Sequence, residues 1–261
     1  MIRDKVALIT GGSSGIGAEL GRNLAELGAV LVLVARSAEK LAAVADSMPE
    51  GSRVLTIVAD VGVEEAVEQA VLQTIETYGR IDILINNAGF GLFQRVDEMR
   101  LVDYERMMNV NYMGVVRLTK AVLPHMQAQG SGHIVTVASI SGKLGTAKSA
   151  GYAASKHAVI GFMNSLRQEM GKNTRIHISV VNPGPVRTAF FDQTDPDNNY
   201  LNKVPSWFVL TPQRVTQTII KLLHKPRSEV NLPAIGGFGV KLTQLFPGIS
   251  ASLVRRMTDI K

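Results

Sequence analysis

Val6-Ala7-Leu8-Ile9-Thr10-Gly11-Gly12-Ser13-Ser14-Gly15-Ile16-Gly17 begins as an apolar run of strand length and passes directly into a glycine-rich turn. Ala18 to Leu27 then reads as an amphipathic helix closed by Gly28, and Val30-Leu31-Val32-Leu33-Val34 is a second buried strand. Together they make a strand–helix–strand unit with the glycines at its first turn. Glycine there lets the backbone turn tightly and approach a pyrophosphate, while the helix N–H groups point at the charge.

The alternation continues outward from this unit. Val54 to Val58 reads as a third strand, and Glu64 to Tyr78 as a helix stopped by Gly79. Ile81-Asp82-Ile83-Leu84-Ile85 is a fourth strand ending in Asn86-Asn87-Ala88-Gly89. The pattern predicts a long helix from about Asp103 to Met126, with Pro124 near its end, and a turn over Gly130 to Gly132. The run His133 to Ala138 is a fifth strand ending at Ser139; a helix follows to about Met170, with Gly171 as its stop. A sixth strand, Ile176 to Val181, runs into Asn182-Pro183-Gly184-Pro185-Val186-Arg187-Thr188. Strands and helices alternating in this way predict an α/β fold, a doubly wound parallel sheet of Rossmann type with helices on both faces. No linker or repeat divides the chain, so residues 1–261 are read as one domain.

Composition narrows the chemistry. The 261 residues are 46% apolar and 19% charged, the balance of a globular chain. With no cysteine, disulfides, thiolate metal sites and thiol catalysis are excluded. His125, His133, His157, His177 and His224 are scattered without ligand spacing, so no metal is expected. The net charge of +6 comes without a clustered basic run, which argues against nucleic acid and fits a basic surface with an anionic cofactor. Met1-Ile2-Arg3-Asp4-Lys5 leads straight into a strand, and no apolar run approaches a membrane span. The expectation is a cytoplasmic protein.

Tyr152-Ala153-Ala154-Ser155-Lys156 sets a phenol and an ammonium four residues apart, on one face of a helix. A nearby cation favours the phenolate, lowering a pKa that otherwise sits at roughly 10, and so suits the tyrosine to acid–base work. Ser139, at the end of the fifth strand, places a hydroxyl where it can face the same pocket. At the end of the second strand, where an acid would bind a ribose 2′-hydroxyl, the chain has Ala35-Arg36-Ser37. Arginine offers a bidentate partner for a 2′-phosphate instead.

The glycine spacing Gly11-x-x-x-Gly15-x-Gly17 after Thr10 resembles the fingerprint of the short-chain dehydrogenase/reductase family. Five further motifs, in order and spacing, extend the resemblance over residues 5 to 188. It implies an oxidoreductase that moves a hydride between a nicotinamide and a carbonyl or secondary alcohol. By the resemblance, Gly11, Ser13, Ser14, Gly15, Ile16 and Gly17 hold the pyrophosphate side, and Asp60 and Val61 contact the adenine. Asn87, Ala88 and Gly89 shape the floor under the adenosine ribose. Pro183, Gly184, Val186 and Thr188 close over the nicotinamide. Tyr152 is implied as proton donor or acceptor, Lys156 as the holder of the nicotinamide ribose, Ser139 as a hydrogen-bond donor to the carbonyl oxygen, and Asn111 as the residue that kinks its helix and anchors a relay water. Arg36 makes NADP(H) the expected cofactor over NAD(H), although Ser14 stands where many NADP-preferring members carry a second basic residue. The Tyr-x-x-x-Lys spacing argues against the family's enoyl reductases, and the glycine spacing against its extended epimerase branch.

The substrate loop is placed at about residues 189–211, with Phe190, Phe191, Tyr200, Trp207 and Phe208 in it, and suggests a bulky or apolar small-molecule ketone or aldehyde. Ser228-Glu229-Val230-Asn231-Leu232-Pro233 departs from the closing strand of the β-ketoacyl-carrier-protein reductases. An extension follows over about 233–261, with Phe238, Leu242, Leu245 and Phe246 and trailing Arg255-Arg256. Packing against another subunit of a homo-oligomer, a dimer or tetramer, is favoured for it over peripheral membrane contact. Two other functions stay open: an NADP-dependent alcohol dehydrogenase working oxidatively, and a non-catalytic NADP(H)-binding regulator.

Overall fold

Along β1 (Val6–Thr10) and β2 (Val30–Ala35), alternate side chains enter different cores. Val6, Leu8, Val30, Val32 and Val34 join one buried cluster, and Ala7, Ile9, Leu31 and Leu33 join another. This two-residue alternation with both sets buried is what a parallel strand covered on both faces requires. The computed structural model describes residues 2–171, 174–194, 201, 204–206, 208–234, 237 and 243.

The remaining strands are β3 (Arg53–Val58), β4 (Ile83–Asn86), β5 (Gly132–Val137), β6 (Ile176–Pro183) and β7 (Glu229–Leu232). All seven pair in parallel in the order β3-β2-β1-β4-β5-β6-β7. The winding direction reverses between β1 and β4, so their carboxyl ends frame the crevice where open α/β sheets bind ligands. On one face, α3 (Glu64–Tyr78), α5 (Gly114–Gln129) and α6 (Ala150–Met170) supply Val67, Leu118, Val122, Val159 and Met163. On the other, α1 (Gly15–Glu26), α2 (Ala38–Asp46) and a helix at Pro212–His224 supply Leu20, Leu24, Leu41, Val215 and Ile219.

Local chemistry explains several boundaries. Helix α3 begins with Glu64 and Glu65 at its positive end and stops at Gly79, which adopts a left-handed φ of 71°. The predicted long helix is instead three pieces: α4 (Leu101–Met108), a π turn at Asn109–Met113, and α5. Asn109 donates to the Gly62 carbonyl at 3.0 Å, and Asn111 is fixed on its other side, so the wide turn is pinned from two directions. Strand β4 runs from Ile83 rather than Ile81, although the Asp82 backbone already bonds Val6 and His133 on either side; its buried carboxylate accepts from Lys5, Arg80 and the Val6 N–H. The region Ser228 to Pro233, which departs from one reductase pattern, still provides the closing strand β7. The substrate loop contains a short helix, α7 (Ala189–Thr194), and the helix at Pro212–His224 (α8) starts from Thr211, whose hydroxyl accepts the Arg214 N–H. Among the described residues no helix is long and apolar enough to cross a membrane.

Candidate active site

The ends of β1 and β4 are tied by one threonine. Thr10 Oγ1 donates to the Ile85 carbonyl at 3.3 Å and accepts the N–H groups of Asn87 and Ala88 at 3.0 and 3.1 Å. Asn87 Nδ2 returns a bond to the Thr10 carbonyl at 3.0 Å, and Asn86 Nδ2 reaches Thr136 at 3.2 Å. The Asn-Asn-Ala-Gly turn therefore links β1, β4 and β5 at the crevice. Gly11 has φ +66°, and a side chain at Gly17 would put its Cβ 2.2 Å from the Gly11 carbonyl oxygen. The turn can press against α1 only without side chains at these points.

Helix α1 starts with Ser14 extended and making no capping bond, and its first turn carries no acid. Its first N–H groups therefore lack a side-chain cap and suit an anion. Gly15 (φ +53°) lies against Thr188, whose Cβ and Cγ2 would be 3.4 Å from a Cβ there, so the two sequence-predicted contact regions meet. Ser13 and Ile16 stand half-buried in the same turn. This backbone-lined cradle fits a dinucleotide pyrophosphate. At the end of β2, the Arg36 side chain is 72% exposed, with Nη1 4.0 Å from Asp60 Oδ2. Asp60 also accepts the Gly62 N–H at 2.8 Å, and Val61 is buried where Gly114 lets α5 approach.

Lys156 is the most unusual titratable group here. Only 5% exposed, it donates from Nζ to the Val137 carbonyl at 3.1 Å, at the end of β5. Burial pushes its pKa down to about 8. Nζ lies 5.8 Å from the centre of the Tyr152 ring, as the four-residue spacing on α6 predicts. Gly89 completes the approach, since a Cβ there would stand 3.0 Å from Asn111 Oδ1 and 3.5 Å from Lys156 Nζ.

Asn111 is fully buried, and its amide is committed. Oδ1 accepts the Phe90 N–H at 2.9 Å, while Nδ2 donates to the Phe90 carbonyl at 2.8 Å and to Ser155 Oγ at 3.0 Å. Both amide protons are used within the protein, so the side chain acts as a clasp between the loop after β4 and α6. Ser155 passes the link on, donating to the Tyr152 carbonyl at 2.8 Å. Ser139 lies two residues beyond β5, where its Oγ accepts the Ser141 N–H at 3.1 Å and donates to Pro183 at a long 3.4 Å. It caps a 3-10 turn, Ile140–Gly142, that packs directly on α6: a Cβ on Gly142 would stand 2.7 Å from the Lys156 carbonyl oxygen.

Beyond Pro183, the Gly184 N–H donates to Leu232 at 2.6 Å. Val186 and Leu210 then form a bridge, with Arg187 N donating to Leu210 O at 2.9 Å and Leu210 N to Pro185 O at 2.8 Å. The expected substrate segment is thus clasped at its base. Within it, the rings of Phe190 and Phe191 pack 5.3 Å apart, and Phe190 lies 5.6 Å from Tyr152. Tyr200, Trp207 and nearly all of the 233–261 extension lie outside the described residues.

Three participants escaped the motif reading. Phe93 meets Tyr152 edge-on at 5.7 Å, Gly91 lies beneath Phe190 and Tyr152, and Ser155 bonds Asn111. The sequence signal for the first two is position alone: they follow the Asn-Asn-Ala-Gly turn at a carboxyl-terminal strand end.

Comparison with known proteins places this geometry. A family model described as short chain dehydrogenase matches residues 5–199. An uncharacterised oxidoreductase of Staphylococcus saprophyticus is 37% identical over 236 residues, covering 88% of this chain and 95% of its own. A crystal structure of a short chain dehydrogenase/reductase from Burkholderia phymatum in complex with NAD aligns with a TM-score of 0.88 at 25% identity, over 95% of this chain and 96% of that one. A variant of actinorhodin polyketide ketoreductase with NADPH aligns with a TM-score of 0.80 at 31% identity, over 89% and 97% of the two chains.

Proposed function

The chain belongs to the short-chain dehydrogenase/reductase family, and on that premise we propose that it reduces a bulky, apolar ketone or aldehyde with NADPH. As an oxidoreductase of this family it acts on CH–OH groups and the corresponding carbonyls. The observation that carries the reading is the buried ammonium of Lys156 beside the Tyr152 ring, at the carboxyl end of the sheet. A buried cation is costly, and it is retained where a phenol needs help in parting with its proton.

The glycine cradle and the α1 N-terminus would hold the pyrophosphate, Lys156 the nicotinamide ribose, and Thr188 and Val186 the carboxamide side. When bound, NADPH supplies the hydride. Tyr152 gives its proton to the substrate oxygen, and Ser139 donates a hydrogen bond to the same oxygen as negative charge grows there. The weak 3.4 Å bond to Pro183 makes that hydroxyl inexpensive to redirect. Asn111 keeps the loop after β4 in register with Tyr152 and Lys156 through Phe90 and Ser155. NADPH is favoured over NADH by Arg36, whose exposed guanidinium follows β2, with Lys40 in the first turn of α2 as a second cation.

The test is binding of NADPH and NADH to the parent and to Arg36→Ala, with turnover of a carbonyl panel by Tyr152→Phe alongside. A charge-assisted bond to phosphate predicts a tenfold or larger NADPH preference that collapses in Arg36→Ala (roughly 1.5–3 kcal/mol). Equal binding of both cofactors by the parent would remove the NADP assignment. Turnover that survives Tyr152→Phe would remove the catalytic one.

A further inference from the structure

Resting on the reading of Tyr152 as proton donor, we propose that the preferred substrate is a flat aryl or ring-conjugated carbonyl compound, gripped ring to ring by Phe93 and Phe190. These phenylalanines come from different segments, the loop after β4 and helix α7, and both converge on the Tyr152 ring. Phe93 meets it at 5.7 Å with an interplanar angle of 80°, and Phe190 at 5.6 Å with 56°. Phe191 backs both, 5.3 Å from Phe190 and 6.4 Å from Phe93, with its plane only 24° from that of Phe93. Gly91 is the floor of the arrangement: a Cβ there would stand 2.9 Å from Phe190 Cζ and 3.0 Å from Tyr152 Cδ2.

On this proposal a carbonyl oxygen at the Tyr152 hydroxyl sets its carbon substituents against Phe93 and Phe190, which meet the Tyr152 ring from two segments. Ring faces are negative and ring edges positive, so an aromatic substituent gains edge-to-face attraction beyond the contact area it buries. A saturated ring of equal size gains the area only. Two such contacts of roughly threefold each predict an aryl advantage of about tenfold. Conjugation makes an aryl ketone the less electrophilic of the pair, so an aryl preference in turnover reports the pocket and not intrinsic reactivity. In the reaction, hydride from NADPH adds to the carbonyl carbon, the C=O π bond opens, Tyr152 protonates the oxygen, and NADP⁺ and a secondary alcohol result.

The probes are acetophenone and cyclohexyl methyl ketone for NADPH oxidation, and their product alcohols for calorimetric binding to the NADP⁺-loaded protein. The expected result is an aryl advantage of about tenfold in the parent, falling about threefold in Phe93→Leu and in Phe190→Leu and reaching parity in the double variant. Gly91→Ala, whose new Cβ would press on both Phe190 and Tyr152, should lower the ratio as well, and turnover of cyclohexyl methyl ketone reports the share that falls on Tyr152. It carries the test together with Phe93→Leu if the Phe190 variants do not fold. Parity in the parent, or an aryl advantage that survives in the variants, overturns the proposal. An aryl advantage in binding with no turnover of either ketone leaves the ring pocket standing and overturns the reading of Tyr152 as proton donor.

Discussion

Replacing Lys156 by methionine should make the protein more stable while cutting its activity about a hundredfold or more. The folded pKa of about 8 lies below the 10.5 of a free lysine, and burial is the cause. The unfolded chain therefore binds more protons between those two values, and stability rises with pH through that window. Below pH 8 the penalty is fully present, on the order of 3 kcal/mol. Methionine keeps the unbranched stem and removes the charge, but leaves the Val137 carbonyl without its 3.1 Å donor, a loss of about 1 kcal/mol. The net expectation at pH 7 is a gain of about 2 kcal/mol, or about 4–8 °C in Tm. Urea unfolding of parent and variant at pH 7, 9 and 10.5 reads both quantities, and the gap should shrink steadily as pH rises. kcat/KM should fall by about 10² or more. A variant no more stable than the parent at pH 7, or a gap indifferent to pH, would refute the account of Lys156 as a strained cation.

Two further perturbations test other parts of the structure. His133 is held down to about 4 by burial first and the charge of His177 second, and its Nε2 faces Ser179, whose own proton goes to the Arg227 carbonyl. Because the unfolded histidine titrates near 6.5, stability should fall on acidification from pH 6.5 toward 4, by about 2 kcal/mol at pH 5. His133→Gln should flatten that slope in urea midpoints, and an unchanged slope would place the acid sensitivity elsewhere. Gly142→Ala should lift the Ser139 turn off α6 and lower kcat about tenfold or more with little change in NADPH affinity. Gly145→Ala, where among the described residues no atom beyond the chain neighbours lies within 4 Å of the new Cβ, is the silent control, and parental kcat in Gly142→Ala would sink the idea.

Much of this architecture was legible because the relevant signals are local. Continuous apolar runs marked buried strands, Gly79 and Gly171 closed helices, and four-residue spacing put Tyr152 and Lys156 on one face. The break in the helix at Asn111 was legible only through the resemblance; its form as a π turn follows from bonds that Asn109 and Asn111 make to Gly62, Phe90 and Ser155. Phe93 illustrates the same limit, meeting Tyr152 from 59 positions away along the chain (152 − 93). Helices α2 and α8 passed unread because their apolar faces are short and flanked by charge, although Ser37 and Thr211 cap them in the ordinary way.

The bridge between Val186 and Leu210 has an evolutionary consequence. Two backbone bonds close the base of the segment between them, so beyond Thr188, which lies against Gly15 of the phosphate cradle, and Phe190, which packs on Tyr152, its length can change without moving the sheet. Doubling the length of a closed loop costs only about 0.6 kcal/mol. New specificities can then arise by exchange of the stretch beyond Phe190, between two ends that the same backbone bonds hold.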